Sequence, residues 1–74
     1  MQYVKRIKAL RIDRDLKQVE VAKILGISQQ QYSLIEKGYR ELHIDQLEKL
    51  CIFYNVSADY IIGFTFEPRE LPRK

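Results

Sequence analysis

Gln29, Gln30 and Gln31 follow Ser28 directly and precede the apolar positions Tyr32 and Ile35. A glutamine amide donates at one atom and accepts at another. That pair of functions matches the N6 and N7 edge of adenine in the major groove of a DNA duplex. The spacing predicts a helix from Ser28 or Gln29 to about Lys37, ended by Gly38. Tyr32 and Ile35 then share its buried face. The opposite face holds Gln30, Ser33, Leu34 and Lys37, with Gln29 at the first turn. Gln29, Gln30, Ser33 and Leu34 are therefore the candidate base contacts. Leu34 stands open between two roles: an apolar side chain there either meets a thymine methyl or covers a neighbouring side chain. Lys37, Tyr39 and Arg40 come next in the chain and are candidates for contacts to flanking phosphates, which position a protein without reading sequence.

Such a face needs a second helix to hold it. Val21 and Leu25 lie four residues apart and predict one, starting at Lys17 or Gln18 and stopping at Leu25. Ala22 suits a close helix crossing. Gly26 suits the corner, because it reaches positive φ without a steric penalty. Ser28 suits the following N-cap, where its hydroxyl can accept from a free backbone N–H. All these local signals describe two short helices joined by a tight turn, the pattern of a helix-turn-helix.

The remaining elements are expected to be helical too. Val4, Ile7, Leu10 and Arg11 recur at helical spacing and predict a first helix from about Tyr3 to Arg14. Asp15 and Leu16 form the corner after it, with Leu16 pointing inward. A fourth helix starts near Ile44, with Ile44, Leu47, Leu50, Cys51 and Tyr54 facing the core, and Asn55 is its stop. Ser57 caps a short fifth helix from Ala58 to Ile62, and Gly63 ends it. The expected fold is thus all-α, a compact five-helix bundle over residues 1–65. Residues 66–74 carry two prolines and mixed charge and read as an extended tail.

Composition narrows the class. Hydrophobic residues make up 46% of the chain and charged residues 31%, the balance of a globular domain rather than a disordered one. Seventy-four residues suffice for one small domain. No apolar run is long enough to span a bilayer, and no secretory signal is visible, so a cytoplasmic protein is expected. The single Cys51 has no intramolecular partner and reads as a small buried apolar residue. The net charge of +3 is unevenly placed. Residues 1–40 carry nine Lys/Arg against four Asp/Glu, a net +5, whereas residues 41–67 carry one Lys against five Asp/Glu, a net −4. A basic half suits a domain that turns one side toward phosphates. The same basic residues on the first helix are equally consistent with a simple solvated face.

These pieces resemble the phage repressor/Cro-like helix-turn-helix family, also called the xenobiotic-response-element type. The likeness runs over Val4–Thr65. It rests on Ile7-Lys-Ala-Leu-Arg11, Leu16-Lys-Gln-Val-Glu-Val-Ala22, Leu25-Gly-Ile-Ser28, Ile35-Glu-Lys-Gly38 and Asn55-Val-Ser-Ala-Asp-Tyr60 with Ile62-Gly63. The resemblance implies a five-helix bundle of the lambda-repressor-like type, with helices two and three as the reading unit. It implies base reading at Gln29, Gln30 and position 34. It also implies a phosphate contact and a bracing role for Gln18, and a partly buried structural ion pair between Arg11 and Glu36. Helix N-termini favour phosphates on their own account, which supports Gln18 independently. Four positions depart from the family pattern. Lys17 replaces a Ser or Thr cap, so helix two is expected to be weakly capped. Asp15 takes a place often held by Gly, Tyr32 replaces an aliphatic residue, and Leu34 replaces a polar or basic one. The Tyr32 hydroxyl must then find a partner or water. His43 falls at the N-cap of helix four.

The expected function is a sequence-specific double-stranded DNA-binding transcriptional regulator, a repressor of the prophage kind, acting as a homodimer on a palindromic operator. One recognition helix touches few bases; two half-sites about 34 Å apart restore selectivity. Ile52, Phe53, Tyr60, Phe64, Phe66 and Leu71 are candidates for a dimer surface, unless the tail folds back over them. The alternative is a protein-interaction module, such as an antitoxin or an anti-repressor partner, with secondary DNA binding. Exposed glutamines at the start of helix three argue against it, since protein-binding helices carry apolar or aromatic anchors. One His and one Cys without a phosphate-cradling glycine loop or metal spacing point away from an enzyme and predict no cofactor and no metal. No small-molecule effector site is legible.

Overall fold

Each helix among the described residues stops at a residue that can turn left-handed. The computed structural model describes residues 2–65, and among them are five helices. They are α1 (Gln2–Asp13), α2 (Gln18–Leu25), α3 (Gln29–Glu36), α4 (Ile44–Tyr54) and α5 (Ala58–Ile62). Asp15, Gly26, Gly38, Asn55 and Gly63 all have positive φ. Beyond each helix a backbone N–H reaches back five residues, as in Leu16 N to Arg11 O at 3.1 Å and Tyr39 N to Leu34 O at 2.9 Å. This closure satisfies carbonyls that a helix end would otherwise strand.

The helix starts share a device as well. Ser28 Oγ accepts from Gln31 N, and Gln31 Oε1 accepts from Ser28 N, both at 3.1 Å. Glu20 reaches back to Lys17 N at 2.9 Å, and Gln46 to His43 N at 2.9 Å. The Lys17 side chain supplies no cap bond, so α2 has only the returning half of a capping box. Gln31, the third glutamine of the run, is thereby spent on capping.

The helices bury one continuous core of Ile7, Leu10, Val21, Ala22, Leu25, Tyr32, Ile35, Leu50, Cys51, Tyr54, Val56 and Ile61. Leu16 packs against it from the α1–α2 corner. α2 lies against α3 and α4, and α1 lies against α3 and α5. Ala22 is fully buried, consistent with the close crossing.

One core assignment is corrected. Ile44 is 81% exposed instead of facing inward. It is the first residue of α4, and helical side chains lean toward the N-terminus, so this one projects past the end of the helix. Gln46 is buried in the same turn, held there by its bond to His43 N.

The arginines of α1 and of the turn after it are not all a solvated face. Arg6 Nη1 donates to the carbonyls of Tyr60 and Thr65, both at 3.1 Å, and its guanidinium lies 4.4 Å from the centre of the Tyr60 ring. Arg14 Nη2 donates to Tyr54 O at 3.1 Å, with its guanidinium 4.9 Å from the Tyr54 ring centre. Planar cations over aromatic faces pin α1 to α4 and α5. No helix among the described residues is long and apolar enough to cross a membrane.

Candidate nucleic-acid interface

Tyr32 and Ile35 are fully buried, and that burial turns the other side of α3 outward. Gln29, Gln30, Ser33, Leu34 and Lys37 line one shallow depression of about 490 Å³ along that side. Gln29, Gln30 and Lys37 are exposed, Leu34 is 41% exposed, and Ser33 is half-buried. All four candidate base contacts therefore share one surface. At the far end of α3, Gly38 takes φ 81°, and Tyr39 N bonds to Leu34 O. The turn leaves Tyr39 81% exposed, while Arg40 is half-buried beside it.

Gln18 opens α2 and is half-buried. No backbone carbonyl accepts from its N–H or from that of Val19, as expected for a first helical turn. Two free donors and the positive end of the helix dipole thus lie together at this point. The Gln18 amide itself turns inward, with Nε2 donating to Glu36 Oε1 at 3.1 Å. It braces the C-terminal end of α3, at a distance in sequence from Gln29.

Behind the surface lies a polar cluster. Arg11 Nε donates to Glu36 Oε2 at 2.7 Å, and Arg11 Nη2 donates to Oε1 at 3.0 Å, a two-pronged pair. Arg11 Nη1 also donates to Leu16 O at 2.9 Å. The Tyr32 hydroxyl donates to Glu36 Oε2 at 2.5 Å. Side-chain exposures of 13% for Arg11 and 3% for Glu36 place the pair in a largely dry environment. Burial alone would push the Glu36 carboxyl up, but hydrogen bonds from Arg11, Tyr32 and Gln18 outweigh it, and the pKa lies below the ordinary 4.5. The bond to Glu36 holds Arg11 even more firmly in its cationic form. Burial, followed by the bond to Glu36, pushes the Tyr32 hydroxyl well above its ordinary 10.0. Nearby, burial pushes the Tyr54 hydroxyl up to about 12, and that oxygen is buried without a hydrogen-bond partner.

Three participants escape a reading by residue type. Gln31 works in the N-cap, a role that the Ser28-x-x-Gln31 spacing could have signalled. Tyr32 joins the ion pair, and Gln18 binds Glu36; both partnerships depend on how the helices cross. Of the apolar residues considered for a dimer surface, Ile52 and Phe64 are well exposed and Phe53 partly so. Tyr60 packs against the core and under Arg6. Phe66 and Leu71, with the rest of the tail, lie outside the described residues.

A short helix pair with a tight glycine corner, a polar outer face and a braced second helix defines a helix-turn-helix domain. The chain belongs to the Cro/C1-type helix-turn-helix family, whose Helix-turn-helix model matches residues 7–61. Among its relatives, it is similar to the cryptic phage CTXphi transcriptional repressor RstR of Vibrio cholerae. They are 39% identical over 58 residues, spanning 78% of this chain and 52% of that protein. It is also similar to the HTH-type transcriptional regulator ImmR of Bacillus subtilis, at 40% identity over 63 residues, 85% of this chain and 50% of the relative. Antitoxin PezA of Streptococcus pneumoniae is 39% identical over 59 residues, 80% of this chain and 37% of the antitoxin. The chain thus spans about half the length or less of these relatives. A transcriptional regulator from Listeria innocua has the same fold, with a TM-score of 0.82 at 21% identity over 89% of this chain and 62% of that one.

Proposed function

We propose that this protein is a sequence-specific double-stranded DNA-binding transcriptional regulator, acting as a repressor. The observation that carries the reading is the outer face of α3, where Gln29, Gln30, Ser33, Leu34 and Lys37 line one surface while Tyr32 and Ile35 are buried behind them. In this reading α3 lies in the major groove. Gln29 and Gln30 read base edges from its N-terminal turn, Ser33 reaches a base edge through its hydroxyl, and Leu34 packs on a thymine methyl. Gln18, with the free N–H groups at the start of α2, holds one phosphate, and Lys37, Tyr39 and Arg40 hold others. The Arg11–Glu36 pair sets the angle of α3 against α1. RstR and ImmR are named as a transcriptional repressor and a transcriptional regulator, and their similarity supports the same role here. The protein acts in the cytoplasm, where the DNA is, as a homodimer on a palindromic operator, because a single α3 contacts too few base pairs for useful selectivity.

The test is selection from a randomised duplex pool with the full chain at two salt concentrations, followed by sequencing of the retained DNA. The expected result is a palindrome with half-sites about one helical turn apart and an affinity that falls steeply with salt. Retention without sequence enrichment would overturn the reading. The similarity to an antitoxin favours a second role, in which the domain serves a protein partner and binds DNA secondarily. Under that reading, substitution of Gln29 and Gln30 leaves the main activity intact.

A further inference from the structure

The Glu36 carboxylate has two donors on each oxygen. Oε2 accepts from Arg11 Nε and the Tyr32 hydroxyl, and Oε1 accepts from Arg11 Nη2 and Gln18 Nε2. An ionised carboxylate only accepts. It therefore dictates the orientation of the Gln18 amide: Nε2 faces Glu36, and one of its two hydrogens is committed there. Glu36 does not commit the second hydrogen, and no backbone carbonyl accepts from the N–H groups of Gln18 and Val19 at the start of the same helix.

Tyr32 has no exposed surface, so it cannot touch a nucleic acid itself. Filling the core needs only its ring. Its hydroxyl serves the carboxylate instead, binding the oxygen opposite the one that holds Gln18. Arg11 alone grips the carboxylate from one side, whereas Tyr32 holds it from within α3, one turn before Glu36. We infer that Tyr32 is a positioning residue for DNA binding: its hydroxyl fixes the Glu36 carboxylate so that the Gln18 amide is held with its second N–H turned to the phosphate. This rests on the DNA reading proposed above. Without the hydroxyl, one oxygen loses a donor, the carboxylate gains rotational freedom, and the amide of Gln18 is no longer preorganised. A phosphate contact carries no sequence information, so the loss falls equally on preferred and scrambled sites.

The experiment compares the full chain with Tyr32→Phe, Gln18→Ala and the double variant, at a temperature where circular dichroism shows each to be folded. Two signals are read: the side-chain amide resonances of Gln18 in nitrogen-labelled protein without DNA, and anisotropy binding to the selected duplex and a scrambled one. We expect Tyr32→Phe to move the Gln18 amide signal and to weaken binding to both duplexes about three- to tenfold, the range of one hydrogen bond. In the Gln18→Ala background, Tyr32→Phe should weaken binding no further. An unmoved amide signal, or losses that simply multiply in the double variant, overturns the inference. If Tyr32→Phe does not fold, Gln18→Met tests the link from its other end. Shifted Tyr32 ring resonances then support the positioning, and unmoved ones overturn it. A wild-type chain that selects no duplex sinks the DNA reading alone, and the Gln18 amide signal still decides whether Tyr32 positions it.

Discussion

Replacing Arg11 by Met removes two of the four donors to the Glu36 carboxylate and keeps most of the apolar stem. Glu36 retains Tyr32 and Gln18, both neutral, and its side chain is only 3% exposed. The negative charge is then left in a dry site without a compensating cation. Breaking one partner of a buried pair in this way costs about 3–5 kcal/mol. Against a total stability of about 5–15 kcal/mol for an ordinary domain, that is a large share. At about 4–8 °C of Tm per kcal/mol for a chain of this size, the midpoint should fall by at least about 12 °C. The Leu16 carbonyl also loses its donor, so the lower bound is conservative. Replacing both partners, as in Arg11→Met with Glu36→Met, removes the stranded charge. What remains is the Leu16 carbonyl and the half-buried Gln18 amide without these partners, and a buried unpaired Tyr32 hydroxyl, the last worth about 1–3 kcal/mol. The double variant should therefore be more stable than Arg11→Met alone. Urea denaturation followed by far-UV circular dichroism on all four proteins gives the coupling energy. We expect about 2–3 kcal/mol. A coupling below about 0.5 kcal/mol would show that the two sites contribute independently, and the bracing role would fall with it.

The remaining predictions are narrower. Glu36 has a lowered pKa, so its contribution is present above the ordinary 4.5 and is lost as pH falls through the folded value; acid titration of stability should lose this component in Glu36→Gln. Tyr32 has a raised pKa, so the neutral hydroxyl stabilises the fold below 10.0 and that benefit drains away as pH rises further. Tyr32→Phe should flatten this alkaline limb, and an unchanged limb would contradict the assignment. Gln29→Ala and Gln30→Ala should each leave the urea midpoint unchanged and weaken binding to the selected duplex about 5- to 150-fold, the range of one bidentate base contact; equal losses on a scrambled duplex would rule out base reading. Gly38→Ala should cost about 1–2 kcal/mol through its φ of 81° alone. The new methyl meets only a Val4 methyl at 3.9 Å, so no clash adds to the strain. Ile44→Lys should leave stability within about 0.5 kcal/mol, which a core position would not permit.

The local elements were legible because their causes are local. The helices expected near Tyr3–Arg14 and at Ala58–Ile62 appear as Gln2–Asp13 and Ala58–Ile62. Asp15, Gly26, Gly38, Asn55 and Gly63 mark helix ends by a backbone preference that each carries by itself. The outward placement of Gln29 and Gln30 followed from the burial of Tyr32 and Ile35 on the same helix. Ile44 shows where periodicity runs out: as the first residue of α4 it projects past the helix end and is 81% exposed, while Gln46 in the same turn is buried. Arg6 and Arg14 show the same limit for charge. A count of basic residues cannot tell a guanidinium that faces solvent from one stacked on a tyrosine ring fifty-four or forty residues away.

By itself, then, the sequence determined the five helices, their stops, the tight corner at Gly26 and the polar character of the outer face of α3, since each depends on residues within a turn or two of one another. Only the tertiary structure decided that Tyr32 and Gln18 join Arg11, the partner the family resemblance implied, on the Glu36 carboxylate. Arg11 comes from α1, Gln18 from α2, and Tyr32 from α3, and their meeting is set by the angles at which three helices cross. Hydrogen bonds act over about 3 Å, whereas sequence periodicity fixes only a face. The partners of a buried charge are therefore chosen by packing.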